Sequence, residues 1–363
     1  MSEDKIVGIK HDRVTNVTAT DFPGHYNDVE NAWSLDTFKK QLDIKIHYLT
    51  DDVGNFDLIG ADSSIANAFR RIMMAEVPTV AFEEVVFTNN TGIMHDEVLA
   101  SRIGLVPLKI DPDKVEWYPF YEPAPVVDGE KTSPANDRNT VPFSLKVSCT
   151  HKPGASKNKN NSSNSNSNSN NNNNNNNNSL QKADDLYEHH TVFAKDLVYA
   201  GSEEQLEKVF GGVRPEVLYP DIVLTKLRPG QEIDLMAYAV LGVGSDHAKF
   251  SPVATASYRL MPHIELLEPI EGAAAEKLQT LFSPGVIGIE DGQAVVKDAR
   301  RDTVSREVFR HEEFKDKVRL GRKRDHFIYH VESTGAMQPD EIFVKSIDIL
   351  RNKCLGLLQY DLA

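Results

Sequence analysis

The sequence contains few cysteines, no long apolar run and no excess of basic residues. Only two of its 363 residues are cysteine, Cys149 and Cys354. These are too few for a disulfide framework or a four-cysteine zinc site, and they suit a reducing compartment. The first five residues carry no apolar run, so no secretory signal is expected. The longest apolar stretch, residues 235–244, is shorter than the roughly 18 residues of a membrane helix.

Acidic residues outnumber basic ones. The chain has 54 Asp and Glu against 40 Lys and Arg, for a net charge of −14. Because such a chain is repelled by phosphate, the balance argues against autonomous nucleic-acid binding and leaves room for basic protein partners. Apolar residues make up 40% of the sequence, which predicts a globular chain, and the length predicts about two domains.

Two helices with apolar stripes are predicted near opposite ends of the chain. The first begins at Asp62 or Ser63 and ends before Pro78, and its stripe falls at i, i+3, i+4, i+7 and i+8. Its members are Ile65, Ala68, Phe69, Ile72 and Met73. The second begins at Pro339, and its stripe comprises Phe343, Ile347, Leu350, Cys354 and Leu357. Such a stripe suits either a core or half of an intersubunit interface, and periodicity does not choose between them.

The sequence between these helices is rich in strand patterns. Alternation predicts a hairpin over 43–58 and strands at 80–88 and 141–150. A short helix capped by Asp96 precedes Gly104. Residues 156–179 are almost entirely Asn and Ser, which predicts a disordered insertion. The order of elements indicates an α+β chain with a discontinuous outer domain and a second domain inserted in it.

A search for catalytic patterns finds two weak pairs. His326 and His330 would share one strand face, and Asp246 and His247 follow a Gly-x-Gly turn. A metal-dependent hydrolase is the alternative that these pairs leave open. Both cysteines are expected in the core, and a free-standing acidic regulatory adaptor is a second alternative. The basic run from Arg319 to Arg324 suits a solvated turn, a phosphate contact or a nuclear import patch.

Several motifs in order resemble the α-subunit family of RNA polymerases. The run Ser-Ile-Ala-Asn-Ala-Phe-Arg-Arg-Ile-Met-Met-Ala-Glu-Val-Pro at 64–78 is similar to that family's signature helix. Stretches at 96–108, 250–253 and 339–343 agree in order. Segments at 6–9, 16–24, 248–250 and 284–289 resemble in particular the larger α-like subunit shared by eukaryotic RNA polymerases I and III.

The resemblance implies a domain layout. Residues 1–40 would be an extended N-terminal arm, and residues 41–80 with 252–363 a discontinuous dimerisation domain of strands plus two long helices. Residues 81–251 would be an inserted, strand-rich assembly domain. Residues 263–318 resemble the ferredoxin-like insertion of some relatives without its cluster, because the ligand cysteines are missing. No cofactor is therefore carried over.

The resemblance also implies a non-catalytic scaffold that pairs with a smaller α-like subunit. The dimer interface would comprise Ile65, Ala68, Phe69, Ile72, Met73, Phe343, Ile347 and Leu350. Contacts to the second-largest subunit would comprise Arg70, Arg71, Asp96, Glu97 and Arg102. Small zinc-bearing subunits are further expected partners, whereas DNA would be reached only through the complex. The implied location is the nucleus, in nucleolus and nucleoplasm.

Overall fold

The computed structural model describes residues 6–17, 34–119, 126–127, 130–131, 134–152 and 186–360. The Asn/Ser tract and most of the predicted arm lie outside these residues. The described α-helices are α1 (Leu35–Gln41), α2 (Ser63–Ala75), α3 (Asp96–Gly104), α4 (Glu203–Lys208), α5 (Gly272–Thr280) and α6 (Pro339–Leu358). The described strands are β1 (Ile6–Ile9), β2 (Val14–Thr15), β3 (Asp43–Leu49), β4 (Val53–Ile59), β5 (Thr79–Asn90), β6 (Leu108–Lys109), β7 (Val126–Val127), β8 (Glu130–Lys131), β9 (Val141–Ser148), β10 (Thr150–His151), β11 (Tyr187–Glu188), β12 (Thr191–Phe193), β13 (Val198–Tyr199), β14 (Glu216–Val217), β15 (Val223–Lys226), β16 (Glu232–Gly242), β17 (Val253–Leu266), β18 (Ile287–Glu290), β19 (Gln293–Val296) and β20 (Val318–Ser333).

The chain divides into two compact units. The first combines Met1–Val77 with Val253–Ala363, and the second is Pro78–Pro252. The sequence places the corresponding boundaries after residue 80 and before residue 252. Helices and antiparallel sheets together confirm the predicted α+β class. The dimerisation role of the first unit and the assembly role of the second remain predictions.

The first unit is built around the long strand β20. This strand pairs with β17 along one edge and with β1 and β4 along the other, and β3 completes the sheet beside β4. All of these pairings are antiparallel. The pairing of β3 with β4 confirms the predicted hairpin.

The N-terminal segment departs from the predicted extended arm. Residues Ile6–Ile9 form a sheet strand that pairs with positions 320–323 of β20, and Ile9 is buried. Gly321 permits this close approach, because a Cβ there would lie 2.6 Å from Cγ2 of Ile6. Burial of Ile9 against the sheet is the physical reason that this short run is a paired strand.

The basic run lies within a strand, which excludes the solvated turn among its three predicted interpretations. Residues 319–324 lie inside β20, which extends from Val318 to Ser333 rather than only over the apolar residues 326–331. Strand β17 likewise continues to Leu266. Pairing with two neighbouring strands satisfies the backbone here, so polar side chains do not end the strand.

Residues between β17 and β20 form a small layer with its own core. Helix α5 packs with the hairpin of β18 and β19, and Leu278, Val286, Ile287 and Phe314 are buried between them. Val318 and Leu320 of β20 belong to the same cluster. This layer therefore packs on the ends of β17 and β20 through a core of its own, and its ferredoxin-like character remains a prediction.

The second unit contains a four-stranded antiparallel sheet in the order β13-β9-β16-β5. Along β9, buried side chains alternate with partly or fully exposed ones, as the sequence predicts. Phe82 and Phe143 meet edge to face with ring centres 5.1 Å apart, and Leu99 and Ile103 of α3 join this core. The predicted cap at Asp96 is wrong, because His95 precedes the helix and Asp96 Oδ1 accepts a hydrogen bond from Asn90.

Candidate dimerisation surface

Helices α2 and α6 lie side by side on one face of the first unit's sheet. The Asp62 carboxylate caps α2 by accepting a hydrogen bond from the backbone N–H of Ser64 at 2.8 Å. Phe69 and Phe343 meet at 5.4 Å between ring centres, and Lys353 pairs with Glu76 at 2.5 Å. The order of these two contacts along each helix shows that α2 and α6 run parallel.

An aromatic cluster fixes the helices to the sheet. Phe56 of β4 stacks on Tyr329 of β20 at 5.1 Å and meets Phe343 of α6 at 4.7 Å. The Tyr329 hydroxyl donates a hydrogen bond to the carbonyl oxygen of Ala66 in α2 at 2.5 Å. Burial raises the pKa of Tyr329, so this group stays a donor at ordinary pH.

Three of the predicted interface residues belong to this core. Ile72 is 3% exposed and Met73 0% exposed, and Phe343 is also buried. Their burial disfavours an interface role for these three residues, because this side of the helices faces the aromatic sheet residues Phe56 and Tyr329. Ile65, Ala68, Phe69 and Leu350 are half-buried, and Ile347 is exposed.

The second half of α6 extends beyond the core. Its buried residues are Pro339, Ile342, Phe343 and Ser346, and none follows within the helix. The exposed apolar side chains of the helix are Val344, Ile347, Leu355, Leu357 and Leu358, the last of them 80% exposed. Cys354 is exposed as well, which corrects its predicted place in the core.

Strand β3 carries a second exposed apolar row, which sequence reasoning missed. Ile44 lies opposite Leu58 and Ile46 opposite Phe56 in the β3–β4 register. Directly paired residues point to the same face of a sheet, so both isoleucines lie on the helix-bearing side. Ile46 is nevertheless 64% exposed, because the two helices leave this edge strand uncovered.

We call Ile44, Ile46, Ile347, Leu350 and Leu358 the β3/α6 surface. Helix α6 starts over β4, the neighbour of β3, since a Cβ at Gly54 would lie 3.0 Å from Cβ of Pro339. The start of α6 and the apolar row of β3 therefore lie on the same side of the sheet. Exposed apolar surface of this kind is typical of a protein–protein interface.

The residues predicted to contact the second-largest subunit fall on both units. Arg71 is exposed on α2, whereas Arg70 is half-buried and donates through Nε to the Asn67 side chain at 3.1 Å. Glu97 is exposed on α3. Arg102 donates to the backbone oxygens of residues 223 and 224 at 2.6 and 2.9 Å, so it fastens α3 to β15 within its own unit.

The opposite face of the sheet carries a buried carboxylate. Asp57 accepts hydrogen bonds from Arg300 at 3.0 Å, from His326 at 2.9 Å and from His47 at 3.1 Å. Burial alone would raise the pKa of Asp57, but the bonds from Arg300 and His326 hold it below its ordinary value. Arg300 thereby attaches the layer between β17 and β20 to the sheet.

The histidines of the hydrolase alternative have local structural partners. His326 bonds to Asp57, and His330 lies 3.0 Å from Glu332. His247 accepts the backbone N–H of Lys249 through Nδ1 at 3.1 Å. Throughout the described ranges no group of three or more His, Cys, Asp or Glu residues is placed to hold a metal ion. No helix among the described residues has the length and apolar character to cross a membrane.

A two-unit chain whose first unit leaves an apolar strand and half a helix uncovered has the form of a subunit that requires a partner. The profile of the family described as the RNA polymerase Rpb3/Rpb11 dimerisation domain matches residues 55–354. That match includes β4, α2, β20 and most of α6. The chain therefore belongs to this family of RNA polymerase dimerisation subunits.

Relatives agree along most of the sequence. The chain is 51% identical over 350 residues to "DNA-directed RNA polymerases I and III subunit RPAC1" of Saccharomyces cerevisiae, covering 96% of each chain. It is 43% identical over 351 residues to the Homo sapiens subunit of the same description, covering 95% of this chain and 92% of that one. It is 30% identical over 326 residues to "DNA-directed RNA polymerases IV and V subunit 3B" of Arabidopsis thaliana, covering 87% and 90%.

Proposed function

We propose that this chain is a non-catalytic assembly subunit shared by DNA-directed RNA polymerases I and III, located in the nucleus. The observation that carries the proposal is the family match over 55–354, together with relatives of that description along nearly the whole chain. Phosphodiester synthesis then belongs to other subunits of the complex.

The proposed first partner is the smaller α-like subunit of the same polymerases. The β3/α6 surface supports this pairing, because Ile46 and Leu358 are apolar side chains that the core of the first unit leaves exposed. Obligate pairs bury about 1,000 Å² or more of largely apolar surface. A partner helix laid across β3 and the second half of α6 would cover both rows at once.

Further partners are proposed from the same resemblance. The second-largest subunits would contact exposed charges on α2 and α3, of which Arg71 and Glu97 are open to solvent. The small zinc-bearing subunits would bind elsewhere on the assembled pair. Polymerase I activity would place part of the protein in the nucleolus and polymerase III activity part in the nucleoplasm.

Native mass spectrometry of the tagged chain, isolated from nuclei, tests this function. We expect a heterodimer with the smaller α-like subunit and assemblies that contain the two largest subunits of polymerases I and III. A protein recovered only as a stable monomer, or only with partners from outside any polymerase, would contradict the proposal.

A further inference from the structure

Three arginines converge on the sheet face opposite α2 and α6. Arg322 belongs to β20, Arg259 to the neighbouring strand β17, and Arg300 to the short turn Ala299–Arg301. Arg259 donates through Nη1 to the carbonyl oxygen of Asp302 at 2.9 Å and through Nη2 to the carbonyl oxygen of Arg300. Partial burial and the positive charges of Arg300 and Arg322 lower the pKa of Arg259.

The carboxylates beside these arginines are already engaged. Asp57 is 3% exposed and is shared by Arg300, His326 and His47. Asp302 is also buried, and burial raises its pKa although the backbone N–H groups of residues 303 and 304 hydrogen-bond to it. The positive charges of Arg259 and Arg322 are thus only partly neutralised within the chain.

Arg322 carries an enclosed hydrogen-bond donor that lacks an acceptor in the described part of the chain. Its Nε is enclosed and has no hydrogen-bond partner among the described residues. An enclosed donor without an acceptor is unfavourable by roughly 1–3 kcal/mol or more when charged. Arg259 beside it is exposed, so a ligand can reach the pair from solvent.

We propose that Arg259 and Arg322 form an anion-binding site that captures neighbouring carboxylates of an acidic peptide segment on a partner chain. The planar guanidinium matches a carboxylate through two parallel hydrogen bonds. The net charge of −14 repels any anion at long range, so the site suits a short acidic segment that reaches both guanidinium groups rather than an extended phosphate backbone. That the partner is another polymerase subunit rests on the proposed function, whereas the carboxylate chemistry rests on the arginines alone.

Fluorescence anisotropy of labelled hexaglutamate, titrated with the full chain at low and moderate salt, tests the site. We expect binding to the unsubstituted chain that weakens with salt. Arg322→Gln and Arg259→Gln should each weaken it about tenfold, as the loss of a charged hydrogen bond implies. The matched control is Arg319→Gln on the same strand, since Arg319 pairs with Glu265 at 3.3 Å and should leave binding unchanged.

Folding is monitored by thermal unfolding of each variant. If Arg322→Gln is unfolded, the Arg259→Gln variant provides the test, because the Arg259 side chain is exposed. Arg322→Lys is a further variant that keeps the positive charge but lacks the paired N–H donors of the guanidinium. Equal binding by a folded Gln variant and the unsubstituted chain, or no binding by the latter, would overturn the proposal. Tighter binding of a labelled uridine hexanucleotide than of the peptide would overturn the carboxylate assignment. None of these outcomes depends on assembly with polymerase subunits, so they are separable from a failure of the proposed function.

Discussion

An aspartate in place of Ile46 would place a charge in the centre of the β3/α6 surface. Ile46 is 64% exposed and lies beside core residue Phe56 in the sheet. Complete burial of such a side chain contributes about 1.5–3 kcal/mol, so covering the exposed part in a complex is worth about 1–2 kcal/mol. A buried, unpaired carboxylate adds a penalty of at least about 2 kcal/mol.

These two effects together predict a loss of about 3 kcal/mol or more in pairing, which is over a hundredfold in affinity. The fold itself should change little, because the side chain is exposed in the free chain and an aspartate on a strand costs about 1 kcal/mol. The assay is co-purification with the smaller α-like subunit, followed by calorimetric titration of the two proteins.

Ile93→Asp is the matched control for this experiment. Ile93 is 85% exposed and lies in the second unit, so the same chemical change there should leave pairing intact. Equal affinities for Ile46→Asp and the unsubstituted chain would refute the assignment of the surface. An equal loss in both variants would show that added negative charge, rather than position, governs pairing.

Three other substitutions probe the fold. Ile72→Ala should lower the free energy of unfolding by about 2–4 kcal/mol, measured by urea denaturation, because Ile72 is core rather than interface; an unchanged midpoint would contradict this. Gly60→Ala should cost at least about 1 kcal/mol in the same assay, since Gly60 has φ +80° and a Cβ would lie 2.3 Å from the carbonyl oxygen of residue 41. Asp57→Asn should cost about 3 kcal/mol at neutral pH by breaking a buried charge pair. Because the pKa of Asp57 in the fold lies below its ordinary 3.8, its contribution is complete above that pH and is lost as the pH falls further. Unfolding measured against pH should therefore show an acid-side loss that the asparagine variant lacks, and identical slopes would contradict the reasoning.

The main helices and the hairpin were predictable because their signals are local. Asp62 begins α2 and Pro339 begins α6, and both positions follow from capping and ring geometry that the sequence displays. The alternation at 43–58 likewise predicts two paired strands, which the structure contains.

Periodicity could not predict which residues of an apolar stripe are buried and which are exposed. Ile72 and Ile347 each belong to the apolar stripe of their helix, yet one is buried and the other exposed. The difference depends on which sheet residues lie underneath, and that is decided by pairings between strands far apart in sequence. The β3 row was missed for the same reason, since an edge strand and a central strand have the same alternation.

Charged strand segments were the other source of error. Residues 319–324 lack the apolar alternation of a strand, but β1 pairs with residues 320–323 and β17 with residues 319–322. The ion pair between Arg300 and Asp57 joins residues 243 positions apart, which no local pattern reveals.

Hydrogen–deuterium exchange of the chain, alone and bound to the smaller α-like subunit, tests the central claim most directly. We predict that binding slows exchange at the outer edge of β3, which no strand of the described residues pairs with, and in the second half of α6 from Ile347 onward. Protection absent from both segments, and found instead on the face that carries Arg259 and Arg322, would contradict it.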